Sequence, residues 1–464
     1  MRWERCLPVL LGLVLLAPPA LAQDRAALQA ANQAEREREA RMVGAWPLNT
    51  PGTAYDPGQP GNVNYDEAKA QQHPDLPDVL TLKNGAKVTT PAQWKTRAAE
   101  IRAMFDRDVF GKYPKGLPNV TWRVTGSETR EVEGIAALIK HATGHVDNSR
   151  YPAIALDIQL DVVTPAAMRG RKVPVILGGG SVRPRPVFPP PPPPPGAVVR
   201  RTLAPADAPS SERLLLQKGW GFVWINATDI QPDNGASFGK GIIGLMSKGR
   251  PRKPDDWGVL RAWAWADSRA LDYLQTDPDV NGKAIGIMGH SRFGKGAVVA
   301  MADDPRFAIG FISSSGEGGA NLFRRDYGQT VVETQGPNDF HWFAANLFKY
   351  AAQGHSAAEM PFDAHEFLAL IAPRPVFIGA GATLLDPVYV PGDGWVDAKG
   401  MFMAEVAASP VWELLGGKGI GATAFPPAGT LVDGGGLAFR QHQYGHTPAP
   451  NWPDFIQFAN RYLH

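Results

Sequence analysis

Ala284-Ile285-Gly286-Ile287-Met288-Gly289-His290-Ser291-Arg292-Phe293-Gly294-Lys295 is the stretch that decides the fold. Its first five residues form a short apolar run that follows the turn signals Asp277-Pro278 and Asn281-Gly282, and it reads as a buried strand. Lys295 to Ala302 has helix-forming composition, so only a sharp bend separates strand from helix. Upstream, Asp255 to Leu274 reads as a helix with Val259, Trp263, Ala266, Ala270 and Leu274 along one face. Before it, Gly221 to Ile225 and Val173 to Leu177 read as buried strands, with Asp229 to Asp233 as an exit turn. Strands alternating with helices at this spacing predict an α/β fold, a doubly wound, mostly parallel sheet in a three-layer sandwich.

Further outward the chain is less regular. Arg2 and Arg5, the apolar run Leu7 to Leu16 and Ala20-Leu21-Ala22 have the form of an export signal over residues 1–22, which predicts a secreted or periplasmic protein. That run is shorter than the roughly 20 residues of a membrane span, so no membrane partner is expected. The only cysteine is Cys6; cleavage would leave none, excluding disulfides, a thiol nucleophile and cysteine metal sites. Net charge is +2 with basic residues scattered, so nucleic acid is not an expected partner either. Residues 23–100 are expected to form an N-terminal extension packing on the core: a helix, then an extended arm to about Asn62, then a hairpin at Val79 to Gly85 and a helix opened by Thr90-Pro91. That helix should bury Trp94, Ala98, Ile101, Met104 and Phe105. Residues 101–464 would be the catalytic domain, interrupted at 182–201 by an insertion with seven consecutive prolines, Pro189 to Pro195, which cannot enter a sheet.

The bend at Gly289 to Gly294 has the form of a nucleophile elbow, which implies an α/β-hydrolase with Ser291 as its nucleophile. The second glycine stands one place later than in Gly-x-Ser-x-Gly, with Phe293 in the usual slot. An elbow puts the serine at a helix N-terminus, so the Arg292 amide would be one oxyanion donor and an amide from Gly178 to Ser181 the other. A serine needs a base, and His446, in the loop between a last core strand around Thr430 to Val432 and a closing helix Trp452 to Tyr462, is the best placed; His442 is a loop residue in this reading, and His290, His341 and His365 are structural or substrate-side. The acid should follow the strand Pro375 to Ile378, where Asp386, Asp393 and Asp397 are candidates that spacing does not separate.

These motifs together resemble the glucuronoyl esterases, carbohydrate esterase family 15. The resemblance rests on Gly289 to Lys295, Trp263-Ala264-Trp265 with Arg269 to Leu274, Ser315-Gly316 with Gly318-Gly319, Asp393-Gly394-Trp395-Val396-Asp397, Gly445-His446, Asn64 to Glu67 and Phe105 to Tyr113. It implies cleavage of esters of (4-O-methyl-)glucuronic acid joining glucuronoxylan to lignin alcohols, with Ser291 as nucleophile, His446 as base, Arg292 contributing backbone and guanidinium to the oxyanion, Lys295 binding sugar hydroxyls and Trp395 packing on the uronate. Where many members carry the acid as Glu, this chain has Ser314. The resemblance then implies Asp393 as the acid, with Glu317 as the alternative. Gln329 stands where a sugar-binding Glu is common, and Glu333 is a candidate to replace it. No metal or organic cofactor is required, and a monomer is expected. Two other readings remain: an acetyl-xylan or other carbohydrate esterase of the same fold, and a non-catalytic carbohydrate-binding relative.

Overall fold

The computed structural model describes residues 19–52, 63–72, 74–179, 208–382 and 392–464. Most of the expected export signal, the proline-rich insertion and Asp386 lie outside the described residues. Ten strands build one sheet: β1 Val120–Val132, β2 Ile135–Val146, β3 Asp157–Pro165, β4 Val173–Gly179, β5 Gly221–Ile225, β6 Val280–His290, β7 Ile309–Ser313, β8 Val376–Ala380, β9 Leu431–Asp433 and β10 Leu437–Gln441. Their spatial order is β1-β2-β3-β5-β4-β6-β7-β8-β10-β9. From β5 to β10 neighbouring strands run parallel, while β1, β2, β3 and β9 are antiparallel flanks. The helices are α1 Pro19–Met42, α2 Pro91–Asp108, α3 Ser211–Lys218, α4 Ala227–Ile230, α5 Gly241–Ser247, α6 Val259–Leu274, α7 Arg292–Asp303, α8 Val331–Thr334, α9 Ala364–Ala369, α10 Ala398–Leu414 and α11 Trp452–Ala459.

Because side chains alternate along a strand, each central strand feeds two cores. Val376 and Ile378 of β8 join the core containing α2, α6, α7, α9 and α10, whereas Phe377 between them joins the core containing α3 and α11. The predicted α/β-hydrolase sandwich is therefore what forms.

Several boundaries differ from expectation. The helix read from Asp255 begins at Val259 with Gly258 as N-cap. A side chain at Gly258 would meet the Trp342 carbonyl 2.1 Å from its Cβ, so the chain must pass here without one. The exit turn after β5 contains the short helix α4. The expected last core strand around Thr430 to Val432 is the edge strand β9; β10 does that work instead, hydrogen-bonded between β8 and β9, and its three fully buried residues, Leu437 to Phe439, escape the sequence reading.

Helix α2 forms as its sequence dictates. Thr90 and Gln93 make a reciprocal capping box, with Pro91 in the first turn. Trp94, Ile101 and Phe105 are buried as expected, but Ala98 and Met104 only partly so. Helix α1 has no apolar stripe and is held by polar groups instead. Glu39 makes two hydrogen bonds to Arg252, both side chains fully buried. Arg36 Nε donates to the Gln335 carbonyl at 2.6 Å, and Asn32 Oδ1 accepts from the amides of Gly235 and Ala236 at 2.6 and 3.1 Å.

Candidate active site

Strand β6 ends at His290, and the chain reverses direction at Ser291, which has φ 59° and ψ −130° and serves as N-cap of α7. Such a conformation is costly for a residue with a side chain and persists only where its surroundings impose it. The Ser291 amide donates to Ser313 O of β7 at 2.9 Å, and Ser291 O accepts from the Lys295 amide at 3.1 Å. A Cβ on Gly289 would lie 2.0 Å from Phe293 O, and one on Gly294 would lie 2.8 Å from Ser313 O. The close approach of helix to strand thus falls at Gly294, which accounts for the displaced second glycine. Phe293 packs its ring 5.0 Å from that of Trp263.

The loops that carry Asp393 and His446 leave adjacent parallel strands. Gln441 of β10 pairs with Ala380 of β8, and beyond them the Asp393 amide bonds Ala382 O while the Ala382 amide bonds Tyr444 O. Gly381 sits where these loops cross: a Cβ there would lie 2.3 Å from Gly445 O and 2.9 Å from Asp393 Cβ. His446 Nδ1 is 2.6 Å from Asp393 Oδ1. Asp393 Oδ2 accepts from the Ser314 hydroxyl at 2.6 Å and the Gly381 amide at 2.5 Å. Burial pushes the Asp393 carboxyl upward, but the hydrogen bond and charge of His446, with those from Ser314 and Gly381, outweigh it and hold the group below the ordinary carboxylate range. Bound through Nδ1, the imidazole keeps Nε2 for proton exchange. Its ring lies 4.3 Å from that of His290, the residue before Ser291. Among the described residues no hydrogen bond joins the Ser291 hydroxyl to His446; such bonds commonly tighten only with substrate present.

His290 bonds Ser313 Oγ at 3.0 Å, and burial, then the charge of His446, push it down to about 3, so it stays neutral beside His446. His442 accepts from the Tyr444 amide and bonds Thr447 O, shaping the loop that carries His446.

A cavity of about 460 Å³ opens over Ser291, lined also by Arg292, Lys295, Gln329, Glu333 and Trp395. The structure brings these expected residues together but changes what some of them do. Lys295, 3 % exposed, donates to Ser315 O, Glu317 O and Gln329 Oε1 at 2.7, 2.5 and 2.9 Å. With three protons already given to protein acceptors, its ammonium braces the cavity floor; the expectation of a lysine open to sugar hydroxyls is corrected to that extent. Gln329, positioned by its amide on Trp395 O, is the bridge from this ammonium to Asp339 Oδ2. Glu333 caps α8 through Thr330 and accepts the Gly52 amide at 3.1 Å, tying the N-terminal arm to the rim. Glu317 is not brought to the imidazole: its carboxylate bonds Asn321 at 3.3 Å, and burial, then Asp363, hold its pKa well above the usual range. Asp397 pairs with Arg325 and caps α10. Of the oxyanion candidates in 178–181, Gly178 pairs with Met288 of β6; Gly180 and Ser181 lie outside the described residues.

A family model described as "Glucuronyl esterase, fungi" matches residues 252–416. A carbohydrate esterase, MZ0003, from an unknown prokaryotic organism is 32 % identical over 87 % of this chain and 93 % of its own. The solved structure of a CE15 glucuronoyl esterase from Teredinibacter turnerae T7901 superposes with TM-score 0.81 and 36 % identity, covering 93 % of this chain and 99 % of that one. The chain belongs to carbohydrate esterase family 15, the glucuronoyl esterases. A 4-O-methyl-glucuronoyl methylesterase of Cerrena unicolor is 27 % identical over 86 % of this chain and 70 % of its own. Membership makes this chain a carboxylic ester hydrolase.

Residues in and beside the cavity of this glucuronoyl esterase escape the sequence reading: Asp339 and Trp342 line it, and Asp233 bonds Arg292 from outside the lining. Asp339 and Trp342 lie in a segment without regular periodicity, and Asp233, in Pro232-Asp233-Asn234-Gly235, carries an ordinary turn signature. Only the fold brings Asp233 to Arg292, 59 positions away.

Proposed function

We propose that this enzyme hydrolyses esters of (4-O-methyl-)glucuronic acid, the type joining glucuronoxylan to lignin alcohols, by an acyl-enzyme mechanism using Ser291, His446 and Asp393. The carrying observation is the 2.6 Å contact between Asp393 and His446, whose ring lies 4.3 Å from that of His290 in the serine elbow, while Ser291 opens on a cavity lined by Trp395, Gln329 and Lys295. The names of relatives such as the methylesterase of Cerrena unicolor support the uronate as acyl group.

Ser291 Oγ attacks the uronoyl carbonyl while His446 Nε2 takes its proton. The tetrahedral oxyanion is met by the Arg292 amide at the start of α7 and by the Arg292 guanidinium. Collapse expels the alcohol, which receives the proton from His446. Water, deprotonated by the same imidazole, then attacks the acyl-enzyme, releasing glucuronate and restoring Ser291. Asp393 holds the ring orientation and balances its transient positive charge. Trp395 offers an aromatic face to the sugar ring, and Gln329 can exchange hydrogen bonds with its hydroxyls.

The export signal over residues 1–22 would deliver the enzyme, as a monomer, to the periplasm or outside the cell, with residues 23–100 as an extension bound to the catalytic domain. No helix of the described residues is long and apolar enough to cross a membrane. Rates on benzyl glucuronate and acetylated xylan test the substrate class. Turnover of the uronate ester with little deacetylation is expected; the reverse preference would overturn the reading.

A further inference from the structure

We infer that Asp233 is a positioning residue for catalysis, fixing the Arg292 guanidinium at the oxyanion site through a carboxylate that is itself fixed by His341 and Trp342. This rests on the mechanism proposed above, in which Arg292 meets the oxyanion.

Arg292 needs such help. Its side chain is 47 % exposed, and a free arginine there would spread over many rotamers. Asp233 Oδ2 accepts from Arg292 Nη1 at 2.8 Å. Its other oxygen accepts from His341 Nε2 at 2.9 Å and Trp342 Nε1 at 2.7 Å, so the carboxylate plane cannot turn without breaking two bonds. His341 is buried, and burial lowers its pKa despite the bond to Asp233; it acts as a neutral donor. Among the described residues Arg292 is then the one permanent cation bonded to this carboxylate.

The backbone under Asp233 is equally constrained. The next amides of its loop, at Gly235 and Ala236, donate to Asn32 of α1. A Cβ on Gly235 would lie 2.2 Å from the Phe340 ring. On the other side, Gln231 O accepts from Trp263 Nε1 at 3.0 Å. An ion pair this exposed adds little to stability. Its consequence is geometric: one donor of the fork is occupied, and the guanidinium is held at the cavity that Ser291 also lines before substrate arrives.

The test is a double-mutant cycle on benzyl glucuronate with Asp233→Asn, Asp233→Ala and Arg292→Ala. Asp233→Asn keeps the shape but loses the charge, and should lower kcat about tenfold with KM changed less than about threefold. In the Arg292→Ala background the same substitution should change kcat less than about twofold. Equal losses in both backgrounds, or no loss in either, would overturn the inference, because a merely structural aspartate acts whether or not Arg292 is present. If Asp233→Ala fails to fold, the asparagine variant still carries the cycle. Added guanidinium ion supplies a second readout: it should restore part of the rate to the Arg292→Ala single variant and none to the Asp233→Asn, Arg292→Ala double variant. Equal rescue of the two would contradict the inference. The substrate reading is scored separately, by the wild-type rate on the uronate ester. Should the enzyme prefer an acetyl ester, the cycle on that ester still measures Asp233.

Discussion

Ser314 Oγ donates to Asp393 Oδ2 at 2.6 Å, while Asp393 Oδ1 holds His446 at the same distance. Ser314, at the position where the family resemblance implies a glutamate, thus bonds the carboxylate proposed as the acid. With the Gly381 amide as third donor, the buried carboxylate is kept ionised.

Asp393→Asn should lower kcat by about three to four orders of magnitude, since the histidine loses its charge partner and its tautomer. Glu317→Gln should stay within about tenfold of wild type. Ser314→Ala removes one donor and lets the Asp393 pKa rise, so its loss of kcat/KM, about tenfold, should be greatest at acid pH, where Asp393 would begin to protonate. A pH–rate profile from about pH 4 to 9 checks this.

The elbow glycines make a steric prediction. Gly289→Ala forces a Cβ against Phe293 O, and Gly294→Ala one against Ser313 O. Both contacts are backbone, which cannot swing aside. Each variant should lose on the order of 1–3 kcal/mol of stability together with most activity, as read by urea denaturation and by turnover.

The N-terminal helix is tied to the core by Glu39 and Arg252, whose guanidinium also donates to Trp257 O and Phe343 O at 3.1 and 2.9 Å. Removing one partner strands a buried charge, so Glu39→Gln should cost about 3 kcal/mol in chemical denaturation, whereas loss of an exposed pair such as Lys87 with Asp78 should cost under about 1 kcal/mol.

Asp267 of α6 is fully buried with one oxygen lacking a partner, and burial pushes it up to about 7. The unfolded chain, with an aspartate near its ordinary pKa of about 3.9, releases this proton earlier than the folded one. Asp267 therefore erodes stability as pH rises from about 4 to about 7. Asp267→Asn should raise Tm at about pH 8 and change it little at about pH 4; an equal change at both would refute the assignment.

The centre of this fold is legible in the sequence because its signals are local. A five-residue apolar run, two turn dipeptides and a glycine-flanked serine specify strand, bend and helix without reference to distant residues. The proposed base His446 and acid Asp393 are reachable because an α/β-hydrolase topology would have base and acid follow late strands, although choosing among the aspartates needs the family resemblance. What escapes is long-range. Strand β10 is hidden because glycines precede it and a charged residue follows its apolar triplet, Leu437 to Phe439. The binding of α1 depends on polar partners more than 200 positions away, which no apolar periodicity records. Lys295 falls in the expected cavity, but its three acceptors come from loops whose approach only tertiary structure defines.

The central claim is that Ser291 is activated by His446. It is tested most directly by single-turnover and steady-state rates on benzyl glucuronate for Ser291→Ala, His446→Ala and the double variant. Residues acting as one unit lose their effect together, so each single change should cost about five to six orders of magnitude in kcat and the double change no more than either alone. A His446→Ala enzyme within about tenfold of wild type, or losses that add in the double variant, would contradict the account.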